Sequence, residues 1–241
     1  MATVVLDRPD RRNCQDPALW AALHGFARDL TGEVRVVVVR GEGPSFSAGL
    51  DRALFATLGD TVAGSDDDAH ATLSSYQQAF TWLRRPSFVS IAAVQGHAVG
   101  AGFQLALACD LRIAADDAQF AMAEVGYGIV PDLAGTHPLV AAVGRARALE
   151  WCATGRRVGA QEALAAGLVN RVVPAADLEA ATAELTQQLL APPRDAVIEV
   201  KALVDGAGSR TYDEQCEAER DAQLRRLRDL IDTDLIDTAG E

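Results

Sequence analysis

The chain has 241 residues, 49% hydrophobic and 23% charged, enough for a globular domain with a sizeable core. Its formal net charge of −12 argues against nonspecific binding to nucleic acid or to an anionic membrane. No CxxC pair joins Cys14, Cys109, Cys152 and Cys216, no apolar run approaches the ~18 residues of a membrane span, and no signal peptide is evident, so a cytoplasmic protein with reduced thiols is expected.

Residues 3–6 read as a short strand, ended by Arg8-Pro9-Asp10. Asp16-Pro17 then opens a helix, with Asp16 as N-cap and Leu19, Trp20, Leu23 and Phe26 on one face. The β-branched run 34–39 is a strand, and Gly41-Glu42-Gly43-Pro44 a turn. Residues 56–68 are small and polar and read as a loop; 69–83 follow as a helix stopped by Arg84-Arg85-Pro86.

A strand over 87–94 breaks at Gln95-Gly96, a small-residue turn Gly100-Ala101-Gly102 follows, and 103–109 read as a buried helix. Strands are predicted at 111–114, 119–122 and 169–173, and helices at 139–153, 160–166 and 178–190. From Asp195 onward the pattern is helical, broken near Gly206-Ala207-Gly208 and carrying an apolar stripe at Leu224, Leu227, Leu230 and Ile231. Such a stripe fits either a neighbouring subunit or the chain's own domain. Alternation of strands and helices with short parallel-looking strands predicts an α/β fold with crossover connections.

A strand that feeds a glycine turn at a helix N-terminus leaves backbone N–H groups aimed at one point, where an anion or a developing oxyanion can sit. Such a turn can equally serve only to pack a helix against a strand. Here two occur about fifty residues apart, at Phe46-Ser47-Ala48-Gly49-Leu50-Asp51 and at Gly100-Ala101-Gly102, each after a strand. Together they could supply both donors of an oxyanion hole. His24, His70, His97 and His137 lack metal-ligand spacing, so no metal is expected. Ser47, His97, His137 and Asp132 could be imagined as a nucleophilic set, but no nucleophile elbow supports it.

These motifs, with Leu6-Asp7-Arg8-Pro9 and Arg12-Asn13, the run 34–43, Ala93-Val94-Gln95-Gly96, Cys109-Asp110, Glu124-Val125-Gly126 and Gly167-Leu168-Val169, resemble the crotonase, or enoyl-CoA hydratase/isomerase, superfamily. The likeness runs from about residue 3 to about residue 205. It implies a ClpP/crotonase ββα spiral core over 1–190 and a C-terminal helical oligomerisation region over 191–241. It also implies an acyl-CoA thioester as substrate, coenzyme A being part of that substrate rather than a separate cofactor, and a homotrimer or dimer of trimers.

By motif position, the Leu50 and Ala101 N–H groups are the expected oxyanion hole. Ala48, Gly49, Asp51, Gly100, Gly102 and His97 are the expected substrate-binding residues around them. Arg11, Arg12, Arg52 and Lys201 are possible partners for CoA phosphates or simply solvated charges. Family hydratases pair two glutamates, one just after the glycine turn and one about twenty residues on. Here those positions hold Gln104 and Glu124, and an amide takes no proton near neutral pH. Family isomerases are similar to this chain in placing an aspartate at Asp132, although Asp132 could also cap the following helix. The expected catalytic set is therefore Glu124, Asp132 and Gln104, favouring double-bond isomerisation. Hydration, or acyl-CoA binding without chemistry, are the alternatives, and aspartate-based dehalogenation is a remoter use of Asp132.

Overall fold

The computed structural model of the protein describes residues 1–57, 59 and 63–232. Its strands are β1 (Ala2–Leu6), β2 (Val36–Gly41), β3 (Val89–Val94), β4 (His97–Val99), β5 (Leu111–Ala115), β6 (Gln119–Ala121), β7 (Val158–Gly159) and β8 (Arg171–Val173). One sheet has the order β1-β2-β3-β5-β8 and is parallel throughout. The register sets Thr3 opposite Val38 and Val38 opposite Ile91. All six residues of β3 are buried, as are Val36 to Val39 of β2. Continuous Val, Ile and Ala runs of this kind suit a parallel sheet covered on both faces. The second sheet has the order β4-β6-β7, with β4 and β6 parallel and β6 and β7 antiparallel.

Parallel neighbours need crossovers, and helices supply them. Helix α1 (Pro17–Asp29) joins β1 to β2. Its N-cap Asp16 accepts from the Leu19 N–H at 2.8 Å, a cap worth about 1 kcal/mol. Helix α2 (Asp66–Thr81) starts on a capping box between Ser65 and Asp68. The Trp20 ring of α1 lies 4.8 Å from Tyr76 and 6.1 Å from Phe80 of α2, centroid to centroid. Helix α3 (Ala101–Ala108) is buried at every position, so it is apolar all round apart from Gln104. Arg112 on β5 is also buried and donates to the carbonyls of Leu168 at 2.6 Å, Cys109 at 2.7 Å and Ala106 at 3.3 Å. A cation at the carbonyl end of α3 meets the negative pole of the helix. The rest of this part is α4 (Thr136–Val143), α5 (Arg145–Thr154), α6 (Ala160–Ala165) and α7 (Leu178–Leu190).

The chain divides into two compact units, residues 1–186 and 187–241. In the second, α8 (Arg194–Ala207) and α9 (Tyr212–Asp232) pair through Arg225 and Glu199 at 2.7 Å. That unit leaves Val200, Val204, Leu224, Leu227 and Ile231 exposed. Among the described residues, no helix is long and apolar enough to cross a membrane.

Three sequence expectations need correction. The region after Gln95-Gly96 is not only a turn, because His97–Val99 forms β4 and pairs with β6. Helix 139–153 is two helices, parted at Gly144, whose φ of +78° ends α4. The loop expected over 56–68 ends earlier, since α2 begins at Asp66; residues 58 and 60–62 lie outside the described residues.

Candidate active site

The two glycine turns meet because residues 46–51 run alongside β4. The Ser47 N–H donates to the His97 carbonyl at 2.8 Å, and the Val99 N–H to the Ser47 carbonyl at 3.0 Å. A Cβ added at Gly49 would fall 2.3 Å from the Val99 carbonyl oxygen and 3.4 Å from the Ala101 nitrogen, and Gly49 has a φ of +86°. Only glycine lets the backbones approach this closely in that conformation.

A buried polar network fixes the first turn. Ser47 Oγ donates to the Asn13 carbonyl at 2.8 Å and accepts from Gln15 Nε2 at 3.1 Å and from the Gly49 N–H at 3.2 Å. Gln15 is itself held by the Trp20 indole N–H at 2.9 Å. Gln15 bridges to Leu50 in parallel: its N–H reaches the Gly49 carbonyl at 2.7 Å and its carbonyl receives the Asp51 N–H at 2.8 Å. In such a bridge the intervening residue turns its own N–H the other way. Among the described residues, neither the Leu50 N–H nor the Ala101 N–H has a protein acceptor. Ala101 is the first residue of α3, where an orphan donor is expected.

A cavity of about 110 Å³ opens onto this junction, lined by Ala48, Leu50, Val99 and Gly100 from the two turns. Ala123, Glu124, Tyr127, Ile129 and Arg52 complete its lining. A larger cavity of about 480 Å³ lies between the sheet and α7. Its carboxylates, Asp117 and Glu179, are exposed and it touches neither glycine turn, so the chemistry is placed at the smaller one.

Glu124 is buried, and its Oε1 accepts from Gln104 Nε2 at 2.8 Å. Its Oε2 is buried with no partner among the described residues. A Cβ at Gly100 would stand 3.3 Å from Oε1, so the carboxyl sits directly over the second turn. Burial pushes the Glu124 carboxyl above its usual range; hydrogen bonds from its own backbone and from Gln104 oppose this, and the charge of Asp132 adds to it. A buried carboxyl with a raised proton affinity, beside two free N–H donors, can move a proton at a carbonyl compound whose oxygen gains charge.

The expected site residues divide sharply. Glu124, Leu50, Gly100 and Ala48 line one cavity, while Gly49 packs against Val99 and Ala101, and Gly102 against Ser47, at the junction of the two turns. Gln104 stands behind Glu124. Its Oε1 accepts from the Leu133 N–H at 2.8 Å and the Gly135 N–H at 3.3 Å. Asp132 is half-buried in the same turn, and burial raises its carboxyl too. It does not cap α4, whose N-cap Gly135 has no side-chain bond, and its carbonyl accepts from Gln77 at 2.8 Å.

Two residues belong elsewhere. Asp51 faces the loop after β1: Arg11 approaches it at 2.9 Å, and the Ala53 N–H, Arg11, Cys14 and Arg8 hold its carboxyl below the usual range. His97 lies two residues, about 6.5 Å of strand, before Val99. Its Nδ1 is 3.1 Å from Ser45 Oγ, and the cavity lining does not include it. Among the arginines named as phosphate partners, Arg52 reaches the cavity, whereas Arg11 is committed to Asp51.

Sequence reasoning missed Val99, Ala123, Tyr127 and Ile129. The signal for the last two was Gly126 and Gly128, which bracket Tyr127 between Glu124 and Asp132; Gly128 has a φ of +73°. Among the described residues, no group of three His, Cys, Asp or Glu side chains could hold a metal ion.

Parallel spiral core, adjoining glycine turns and a buried glutamate together define the crotonase fold class. The family model for enoyl-CoA hydratase/isomerase matches residues 1–233, so the chain belongs to that family and is an enzyme of it. A candidate enoyl-CoA hydratase from Thermobifida fusca YX, solved with acetoacetyl-CoA, is 44% identical with a TM-score of 0.90, over 95% of this chain and 91% of that one. Its CoA complex gives 45% and 0.89, over 95% and 90%. The enoyl-CoA hydratase of Bacillus anthracis is 30% identical with a TM-score of 0.80, over 92% and 84%. 4-Chlorobenzoyl coenzyme A dehalogenase-2 of Arthrobacter sp is 34% identical over 227 residues, 91% of this chain and 79% of that one.

Proposed function

We propose that this protein binds an acyl-CoA thioester and isomerises the double bond of an enoyl-CoA, with Glu124 as principal acid/base. The observation that carries the reading is the single unpartnered oxygen of Glu124 beside the junction of the two turns. The thioester oxygen would accept from the Leu50 and Ala101 N–H groups. Each such donor lowers the barrier to the enolate by about 3 kcal/mol. Glu124 Oε2 takes the proton from C2 of a 3-enoyl-CoA, and the electron pair moves into the dienolate. The same oxygen returns the proton to C4 as the double bond settles between C2 and C3. Nothing is oxidised or reduced, and one carboxyl suffices. The Thermobifida fusca neighbour's complexes with CoA and acetoacetyl-CoA support the ligand class.

Hydration of a 2-enoyl-CoA is the second reading. The second carboxyl would come from Asp132, which precedes the Leu133 N–H that donates to the Gln104 amide bonded to Glu124. A panel of 2-enoyl- and 3-enoyl-CoA thioesters tests the order of the two. Faster isomerisation of the 3-enoyl compounds, lost in Glu124→Gln, is the expected result. Hydration that survives this substitution would sink the assignment. Assembly as a trimer or a dimer of trimers is part of the proposal, supported by the exposed apolar residues of α8 and α9, and sedimentation reads it directly.

A further inference from the structure

Gln104 is a polar side chain at the centre of an otherwise apolar, wholly buried helix, 1% exposed. An amide in that position must find partners at both ends. It finds three. Its nitrogen donates to Glu124 Oε1 at 2.8 Å, while its oxygen accepts from the N–H groups of Leu133 and Gly135. The chemistry of these partners sets the amide's orientation, because a flipped amide would face two donors with its NH₂.

The receiving turn is shaped for that oxygen. Ala134, between the two donors, has a φ of +63°, a conformation that costs a non-glycine residue about 1 kcal/mol or more and converges the flanking N–H groups. Gly135 has helical backbone angles, φ −79° and ψ −23°, which any residue can adopt, yet a Cβ there would fall 2.7 Å from Gln104 Cγ and 3.0 Å from its Oε1. Glycine at 135 therefore makes room for Gln104 and serves no backbone need.

We propose that Gln104 is a positioning residue, a two-ended amide clamp that ties Glu124 to the 133–135 turn and leaves Oε2 as the one oxygen exchanging a proton with substrate. This rests on the reading of Glu124 as acid/base. Because the amide cannot ionise, it occupies the first carboxylate position of a two-glutamate site without repelling Glu124. It also places the Asp132 turn and the Glu124 carboxyl in one fixed relation.

The test uses the full chain labelled with ¹³C at the glutamate carboxyls, the Glu124 signal being the one lost in Glu124→Gln. Gln104→Met keeps the volume and removes both ends of the clamp. Losing a hydrogen bond to the charged form should move the Glu124 titration upward, and the acid limb of the pH–rate profile should move with it. With a 3-enoyl-CoA, kcat should fall about 100-fold while KM stays within about threefold, because the carboxyl is displaced and substrate contacts are kept. Gly135→Ala, whose added Cβ has Gln104 as its nearest neighbour, should shift both readouts in the same direction. An unmoved Glu124 titration with kcat within about twofold of wild type in Gln104→Met overturns the clamp. Should Gln104→Met not fold, Gln104→Glu takes its place. Because a carboxylate there also repels Glu124, it is read together with Gln104→Asn, an uncharged amide one methylene too short to span Glu124 and the 133–135 turn; an unmoved titration in Gln104→Asn overturns the clamp. If the wild-type enzyme turns over no enoyl-CoA, the functional reading fails, while the titration still reads the clamp.

Discussion

Gly102 lies against Ser47 so closely that a Cβ on residue 102 would stand 2.4 Å from the Ser47 carbonyl oxygen. The same Cβ would meet Ser47 Cβ at 2.8 Å and Oγ at 2.9 Å. This contact joins the two turns on which the oxyanion site rests. Gly102→Ala should therefore separate them. The obstruction is backbone rather than a flexible side chain, so a loss of about 1–3 kcal/mol is expected. Thermal unfolding reads that loss, and turnover should fall further than stability alone explains.

Glu124→Gln should leave the fold and CoA binding intact and remove proton transfer. A positioned general acid/base contributes about 10²–10⁴-fold, and that is the drop expected in kcat. Exchange of the C2 proton of the thioester into D₂O gives the cleaner measurement, since it needs no complete reaction. Exchange at the wild-type rate in the variant would remove Glu124 from its role.

Buried Glu124 and half-buried Asp132 also predict how stability follows pH. Burial raises both Glu124 and Asp132, so the folded protein holds protons that the unfolded chain has already released. Their contribution is fully present below the ordinary carboxylate range near pH 4 and is lost as pH rises through the raised values. Glu124→Gln and Asp132→Asn should each flatten that decline relative to wild type. Urea midpoints measured from pH 4 to 8 check it, and the comparison with wild type cancels the general repulsion of an acidic chain. A steeper decline in either variant would contradict the sign.

Arg112→Met should destabilise by about 3 kcal/mol, because the carbonyls of Leu168 and Cys109 would lose a charged donor in a buried site. Chemical denaturation measures the cost. Activity at a temperature well below the new melting point should change little, since Arg112 is not among the residues lining the cavity.

The sequence carried the local part of this architecture. Val36 to Val39 and Ile91 to Val94 are continuous apolar runs, and such runs declare buried parallel strands wherever they occur. Asp16-Pro17 declares a helix start because the cap and the N–H that donates to it are three residues apart. Gly49 and Gly100 stood out as turn glycines, and both have positive φ. Glu124 was legible through its spacing from the glycine turn and the family pattern it completes.

Only the tertiary structure assigned partners. Nothing local says that residue 47 pairs with residue 98, since the three residues His97 to Val99 gain strand character from β6 and from that bridge. Asp51 and His97 sit one or two positions from residues that line the cavity, yet ion pairing with Arg11 and the length of β4 carry them away from it. Gln104 reads in sequence as a missing carboxylate. In the fold its amide is spent on Glu124 and the 133–135 turn, contacts that span 20 to 31 residues. Backbone preference acts over a few neighbours and shows in composition and spacing. Side-chain hydrogen bonding is decided by whichever groups folding brings within 3 Å, and no pattern along the chain records that.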